Sequence, residues 1–299
     1  MSTELVRNCP VCRHTEFKPF LQCQDYTVSQ EVFELSQCAN CAFVFTNPRP
    51  TEDTIARYYQ SDAYISHSNT RQGLIARLYH GVRKVAIRNK IKLINGQVPQ
   101  KGKILDIGCG TGAFLKACQQ NGWNVAGVEP DPKARKQAEE ALGQSFSDSI
   151  WKLNSGESYQ LITLWHVLEH VHRLEETWRW ISAHVAAGGK ILIAVPNHLS
   201  YDAQQFGQHW AAYDVPRHLY HFTQHTLSQL AKKHGFKLCA TKPMPFDAYY
   251  VSMLSTQYRY GRVRYSEALQ VGLRSNWNAS RNGQYSSLIY IFEKEESGR

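Results

Sequence analysis

At 299 residues with 42% apolar side chains, the chain has the makeup of a globular protein with room for one large domain and a small one, which excludes a disordered polymer. No apolar run reaches the roughly 18 residues of a membrane span, and the opening MSTELVRNCP lacks the apolar core of a secretory signal, so a cytoplasmic location is expected. The net charge is +9, and residues 63–105 alone carry nine basic side chains and no acidic one, so the basicity is local.

Residues 1–50 read as a separate module. Cys9-Pro-Val-Cys12 and Cys38-Ala-Asn-Cys41 are two knuckles separated by 25 residues that read as short strands, EFKPFLQC and EVFELSQC. Four thiolates at that spacing suit a tetrahedral Zn²⁺, which would supply folding energy that so small a core lacks. Because cysteine would fill all four positions, the expected metal is structural. Cys23 lies outside both pairs and reads as core. TNPRP at 46–50 makes an extended link, since X-Pro steps disfavour helix.

Residues 51–100 read as an aromatic and basic helical connector, placed to cover a ligand site. Ile75, Leu78, Tyr79, Val82 and Ala86 form one helical stripe, leaving arginines and lysines over 71–94 on other faces. That basic face is either simply solvated or a surface for phosphate, RNA or anionic lipid.

From Lys103 strand and helix patterns alternate, which predicts a doubly wound α/β sheet over 101–299. The strands are KILDIG, WNVAGVE, YQLITLW, KILIAVP, FKLCATKPM and SSLIYIFEK, with helices near 113–121, 132–142, 173–186 and 224–234. Asp131 before Pro132 is a helix start, and Gly235 a helix stop.

Between the first strand and its helix, Gly108-Cys109-Gly110-Thr111-Gly112-Ala113 satisfies the dinucleotide pattern G-x-G-x-x-G/A, so NAD and FAD are considered first. Asp106 argues against them: a carboxylate two residues before the first glycine would face the pyrophosphate's negative charge. The same group suits a ligand carrying an ammonium and a sulfonium, and S-adenosylmethionine is such a ligand. Glu129, followed by Pro130 and 21 residues past Gly108, ends the second strand, where an acidic side chain can accept from ribose hydroxyls.

LDIGCGTG, GVEP, LWHVLEHV and IAVPN, in that order, resemble the class I S-adenosylmethionine-dependent methyltransferases, in particular the group that includes ubiquinone-biosynthesis O-methyltransferases. The later WAAYDVPRHLYHFTQHTLSQLAKKHGF is similar to that group as well, especially to members with a cysteine-rich N-terminal module. The resemblance covers residues 102–240 well. It implies a seven-stranded, mostly parallel Rossmann-like sheet in order 3-2-1-4-5-7-6, with SSLIYIFEK as the antiparallel seventh strand. It further implies that Asp106, Gly108, Cys109, Gly110 and Gly112 hold the methionine part, and Glu129-Pro130 the ribose. Asp148 would approach the adenine, and Trp165 and His166 would line cofactor and acceptor.

His166-Val-Leu-Glu169-His170 also reads as the H-x-x-E-H zinc-peptidase signature, but the first histidine ends a strand instead of sitting within a helix. The acceptor side is expected in HLSYDAQQFGQHWAAYDVPRHLYHF, where loops at the carboxyl edge of the sheet gather. A hydroxyl acceptor needs a base. His218 is the first candidate, with Asp214 as its orienter and Arg217 as an anion anchor; His221 and His209 are alternatives. The tail is expected to insert helices before the last strand and close over the acceptor, with Asp247 and Tyr249 as further lining. The favoured function is methyl transfer to a small or carrier-linked acceptor, most simply at oxygen. Methylation of RNA or protein gripped by the zinc module and basic helix, and a noncatalytic cofactor-binding module, stand as alternatives.

Overall fold

The computed structural model describes residues 2–60 and 74–295, with side chains at 74–83 outside that description; Ile75, Leu78, Tyr79 and Val82 of the expected stripe therefore lie outside the described residues. The chain opens with β1 (Thr3–Glu4), β2 (Phe17–Gln24), β3 (Val32–Cys38), β4 (Val44–Thr46) and β5 (Arg49–Pro50), followed by helix α1 (Leu74–Gln97). The alternating part comprises β6 (Lys103–Ile107), α2 (Ala113–Gln120), β7 (Asn124–Val128), α3 (Pro132–Leu142), β8 (Tyr159–Trp165), α4 (Leu174–His184) and β9 (Val185–Pro196). Then come α5 (Tyr201–Phe206), β10 (Tyr220–His221), α6 (Gln224–Lys233), β11 (Phe236–Pro243), α7 (Asp247–Tyr260), α8 (Tyr265–Asn282) and β12 (Ser287–Lys294).

The large sheet runs β11-β12-β9-β8-β6-β7, parallel except for β12, which is antiparallel to both neighbours. Its central strands are covered on both faces, which is why β6 and β9 read as continuous Ile, Leu and Val runs instead of alternating ones. The expected strand beside β7 is reduced to one parallel bridge, Val128 to Ser147. Ser147 Oγ donates to the Ser149 carbonyl at 2.7 Å, so short polar side chains draw the backbone into a turn and end the ladder there. With Ser147 in that place the order is the expected 3-2-1-4-5-7-6. The cap of α3 is built as its sequence indicates: Asp131 accepts from the Ala134 N–H at 2.7 Å, and Pro132 takes the first helical turn.

The N-terminal sheet runs β10-β4-β3-β2, so its last strand comes from beyond residue 200. Phe43, Phe45, Leu219, Tyr220 and Phe222 share one apolar core with Trp178 and Ile191 of the large sheet's face. The cysteine module thus has no core of its own that stops at residue 50. Among the described residues no helix is long and apolar enough to cross a membrane.

Candidate active site

The carboxyl ends of β6, β7 and β8 meet where strand order reverses, and each delivers a polar side chain to the same cleft. The three loop glycines differ in what surrounds them. Gly108, Gly110 and Gly112 all have positive φ, 75°, 54° and 74°. A Cβ on Gly108 would lie 2.5 Å from Val167, and one on Gly112 2.7 Å from Leu142, so these two allow strand, turn and helix to pack. A Cβ on Gly110 would meet nothing within 4 Å: that backbone faces the cleft. Cys109 turns its thiol inward, against the core beneath the loop.

Asp106 is buried at the end of β6 and accepts a 2.6 Å hydrogen bond from Thr163 Oγ1 on β8. Burial pushes its carboxyl up to about 7, against the pull of the Thr163 bond and the Lys90 charge. Glu129 accepts from the Gly110 N–H at 2.8 Å and from the Asp131 N–H at 2.9 Å, tying the loop to the second strand while leaving lone pairs on both oxygens. Pro130 is exposed beside it. Asp148 pairs with Lys152 at 2.8 Å, and its other oxygen is shielded without a partner.

Trp165 ends β8, edge-on to Phe114, with a buried indole N–H that has no partner. The Lys90 ammonium lies 3.9 Å from the centre of its ring. Lys90 belongs to α1, whose charges read from sequence as an undifferentiated basic face. Helical phase put Ala86 on the buried stripe but could not say that Lys90, four residues on, reaches Trp165.

His166 follows in a left-handed conformation, φ 57°, and its ring lies between two carboxylates: Nε2 to Asp247 at 3.3 Å and Nδ1 to Glu169 at 3.4 Å. Burial opposes its charged form, yet these two carboxylates raise its pKa to about 10. Asp247 comes from the first turn of α7, so the tail does close onto the end of β8. Glu169 is fully buried with both oxygens lacking a regular hydrogen bond.

His218 sits in the loop before β10. Its Nδ1 donates to the Ala212 carbonyl at 2.9 Å, which leaves the Nε2 lone pair free to accept. Asp214 Oδ2 is 3.9 Å from that Nε2, too far for a hydrogen bond, so the orienting partner is the Ala212 carbonyl and not Asp214. Asp214 is instead committed to Arg217, as is Asp25 of the β2–β3 turn: Arg217 Nη2 reaches Asp214 at 2.7 Å and Asp25 at 2.9 Å, while Nη1 donates to the Tyr58 carbonyl. Arg217 is thus an internal tie between the cysteine module and the loop before β10, and is not free to anchor an external anion. His221 is buried against Tyr213, and burial holds it well below the usual histidine range; His209 lies near Tyr26.

Glu169, His170 and His218 each offer a donor atom within 4.8 Å of the others. Burial and the neighbouring His218 lower His170 to about 4, and its Nδ1 faces the Arg217 carbonyl at 3.1 Å and the Tyr59 hydroxyl at 3.0 Å. The H-x-x-E-H reading is not realised: His166 turns to Asp247, and Glu169 and His170 lie in a single 3-10 turn, Leu168–His170.

In the N-terminal module the four thiols of Cys9, Cys12, Cys38 and Cys41 come within 4.8 Å of one another. Two matching turns present them, with Arg13 and Ala42, each four residues after the first cysteine of its pair, at φ 67° and 59°.

A family model described as a methyltransferase domain matches residues 79–241. Curated ubiquinone biosynthesis O-methyltransferases of Coxiella burnetii are 28% identical over 116 residues, covering 36% of this chain and 50% of theirs. The chain therefore spans about half the length of the curated relatives it matches. Among solved structures, magnesium protoporphyrin IX methyltransferase from Synechocystis PCC 6803, with bound SAH, superposes with a TM-score of 0.54 at 13% identity, over 82% of this chain and 100% of that one. The StiE O-MT structure superposes with a TM-score of 0.51 at 13% identity, over 79% and 81% of the two chains.

Proposed function

Because the chain belongs to the methyltransferase-domain family, we propose that it moves the methyl group of S-adenosylmethionine to a hydroxyl oxygen of a small or carrier-linked acceptor. The observation that carries this reading is the buried Asp106 carboxylate beside the open backbone of Gly110. A cation arriving there restores the charge that burial suppresses, whereas a pyrophosphate would add repulsion. Asp106 and the glycine loop would hold the methionine part and Glu129 the ribose; Trp165 would offer its ring face to the positive sulfur. Asp148 would have only Oδ1 to offer an adenine, since Lys152 occupies its other oxygen.

The cofactor supplies a methyl already activated by a cationic sulfur, so the protein's work is alignment and proton removal. His218 Nε2 would take the acceptor's hydroxyl proton as that oxygen accepts the methyl group, the leaving electron pair staying with the sulfur of the donor. Glu169 steadies the imidazolium that results, in place of the orienting role expected of Asp214. His166, held as a cation between Asp247 and Glu169, donates hydrogen bonds and shapes the pocket; it is not a base at neutral pH. The buried character of His221 supports a packing role. The four facing thiols support a closed, structural Zn²⁺.

The donor set of Glu169, His170 and His218 favours a second reading, in which a divalent cation occupies this cluster. Three measurements test these readings. Calorimetry on folded, zinc-loaded protein should show heat with S-adenosylmethionine and its demethylated product and none with NADH; the reverse overturns the function. With deuterated-methyl cofactor and cell extract, mass spectrometry should find a product heavier by one labelled methyl. His218→Gln should lose that product while binding cofactor normally. Loss of turnover in EDTA, restored by Mg²⁺ or Mn²⁺ with the zinc retained, would favour the metal reading.

A further inference from the structure

Helix α8 is built inside out. The residues it buries are small, Ala268, Gly272, Ser275 and Ala279, while Tyr265, Leu269, Leu273 and Trp277 are each more than half exposed. Spaced four apart, these large side chains drift by about 40° per step and so cover a stripe roughly 120° wide. An amphipathic helix normally does the opposite, and a contiguous apolar stripe facing water marks a surface that meets something else.

The helix is also fixed in place. Asp202, fully buried, accepts from Ser275 Oγ at 2.6 Å, from Ser286 Oγ at 2.7 Å and from Trp210 Nε1 at 2.7 Å, pinning α8 to the end of β12. A Tyr249 ring fits against Gly272, where a Cβ would come within 2.5 Å of it. The stripe therefore is not a face that the helix can turn inward by rolling.

Charge indicates what covers it. Residues 259–281 hold five arginines and one glutamate. Arg274 and Arg281 border the stripe, and Arg281 lies 3.7 Å from the centre of the Trp277 ring. Two copies pressed together through this face would bring arginine against arginine, whereas an anionic surface would be attracted. Aromatic and leucine side chains on one side with arginines along the margin are the pattern of a helix lying in a membrane interface.

We propose that α8 lays the stripe of Tyr265, Leu269, Leu273 and Trp277 onto an anionic lipid surface, with Arg274 and Arg281 at the headgroups. The binding is independent of the methyl-transfer reading, because it is measured without turnover. It nonetheless has a bearing on the site: α7, packed along α8, places Asp247 against His166.

The test is sedimentation of the full, zinc-loaded chain with vesicles of phosphatidylcholine alone or mixed with phosphatidylglycerol. Partitioning to the mixed vesicles should fall roughly a hundredfold in Leu273→Glu with Trp277→Ser, since two apolar anchors are lost. Arg274→Gln with Arg281→Gln should retain the stripe but lose most of the preference for the anionic vesicles, as should high salt in the parent chain. All four side chains are exposed or lie at the margin, and thermal melts matching the parent chain check that the variants fold. Equal binding by parent and Leu273 variant, equal binding to both vesicle types, or no vesicle binding at all overturns the proposal. A parent dimer that Leu273→Glu makes monomeric, without vesicle binding, would assign the stripe to a second copy instead.

Discussion

In its proposed role, Asp106 carries both affinity and pH dependence. In the free protein burial holds it near 7, so just below neutrality a good part of it is protonated. A cationic ligand binds the ionised form, so binding should release a proton and weaken as pH falls below about 7, levelling off above it. Calorimetry in buffers of different ionisation enthalpy measures that proton directly, and an affinity flat from about pH 6 to 8 would contradict it. Asp106→Asn should weaken the cofactor roughly 10- to 100-fold, the loss of one charge-assisted contact. His166 is the opposite case. Its folded pKa, about 10, lies above the 6.5 of the free group, so its carboxylate contacts stabilise the fold fully below 6.5 and stop doing so as pH rises through 10. Asp247→Asn should bring the His166 titration down, which ring-proton NMR would follow. Asp106 was recognisable in sequence because it sits two residues from the glycines it works with. The pairing of His166 with Asp247 was not, because 81 positions separate them.

Elements were legible where one local force dominates. The strands of the large sheet are apolar runs bounded by polar turns, and α3 announces itself through Asp131-Pro132. α4 ends at His184, two residues before the expected stop, because Val185 already belongs to β9. The element that sequence misread is the loop from 207 to 219. Arg217 looked like a hand held out to a substrate anion; it is instead fully buried between Asp25 and Asp214. Arg217→Met should therefore lower stability by about 3–5 kcal/mol in urea unfolding, since the buried Asp25 and the half-buried Asp214 lose their shared partner. Arg217→Lys should recover only part of that, because an ammonium cannot reproduce a planar fork spanning two carboxylates and a carbonyl. A variant as stable as the parent would show that the tie is dispensable.

For the molecule as a whole, the cysteine module and the loop before β10, which carries the proposed base, are one mechanical unit. β4 lies between the second knuckle and β10, and Thr46 Oγ1 donates to the His218 carbonyl at 2.9 Å. Removing the Zn²⁺ proposed for the four thiols, or Cys9→Ser, should lower Tm by roughly 5 °C or more. It should also speed hydrogen exchange across 217–222 and cut turnover more than cofactor affinity, because Asp106 and Glu129 stand on a different sheet. Unchanged exchange in 217–222 on metal loss would separate the two regions.

The sequence by itself determined the part of the fold proposed to hold the cofactor. A glycine turn, the acid before it and the acid after the next strand lie within about one βαβ unit, so short-range stereochemistry and strand periodicity suffice to bring them together. It likewise determined the cysteine cluster, since paired knuckles need only local turns. What only the tertiary structure decided is the surroundings of the proposed acceptor: that His218 turns Nδ1 to the Ala212 carbonyl, that Arg217 is internal, that Lys90 lies over Trp165, and that α8 shows its large side chains to the outside. These depend on contacts between residues far apart in the chain, whose burial and charge are set by packing and leave no periodic trace in any one segment.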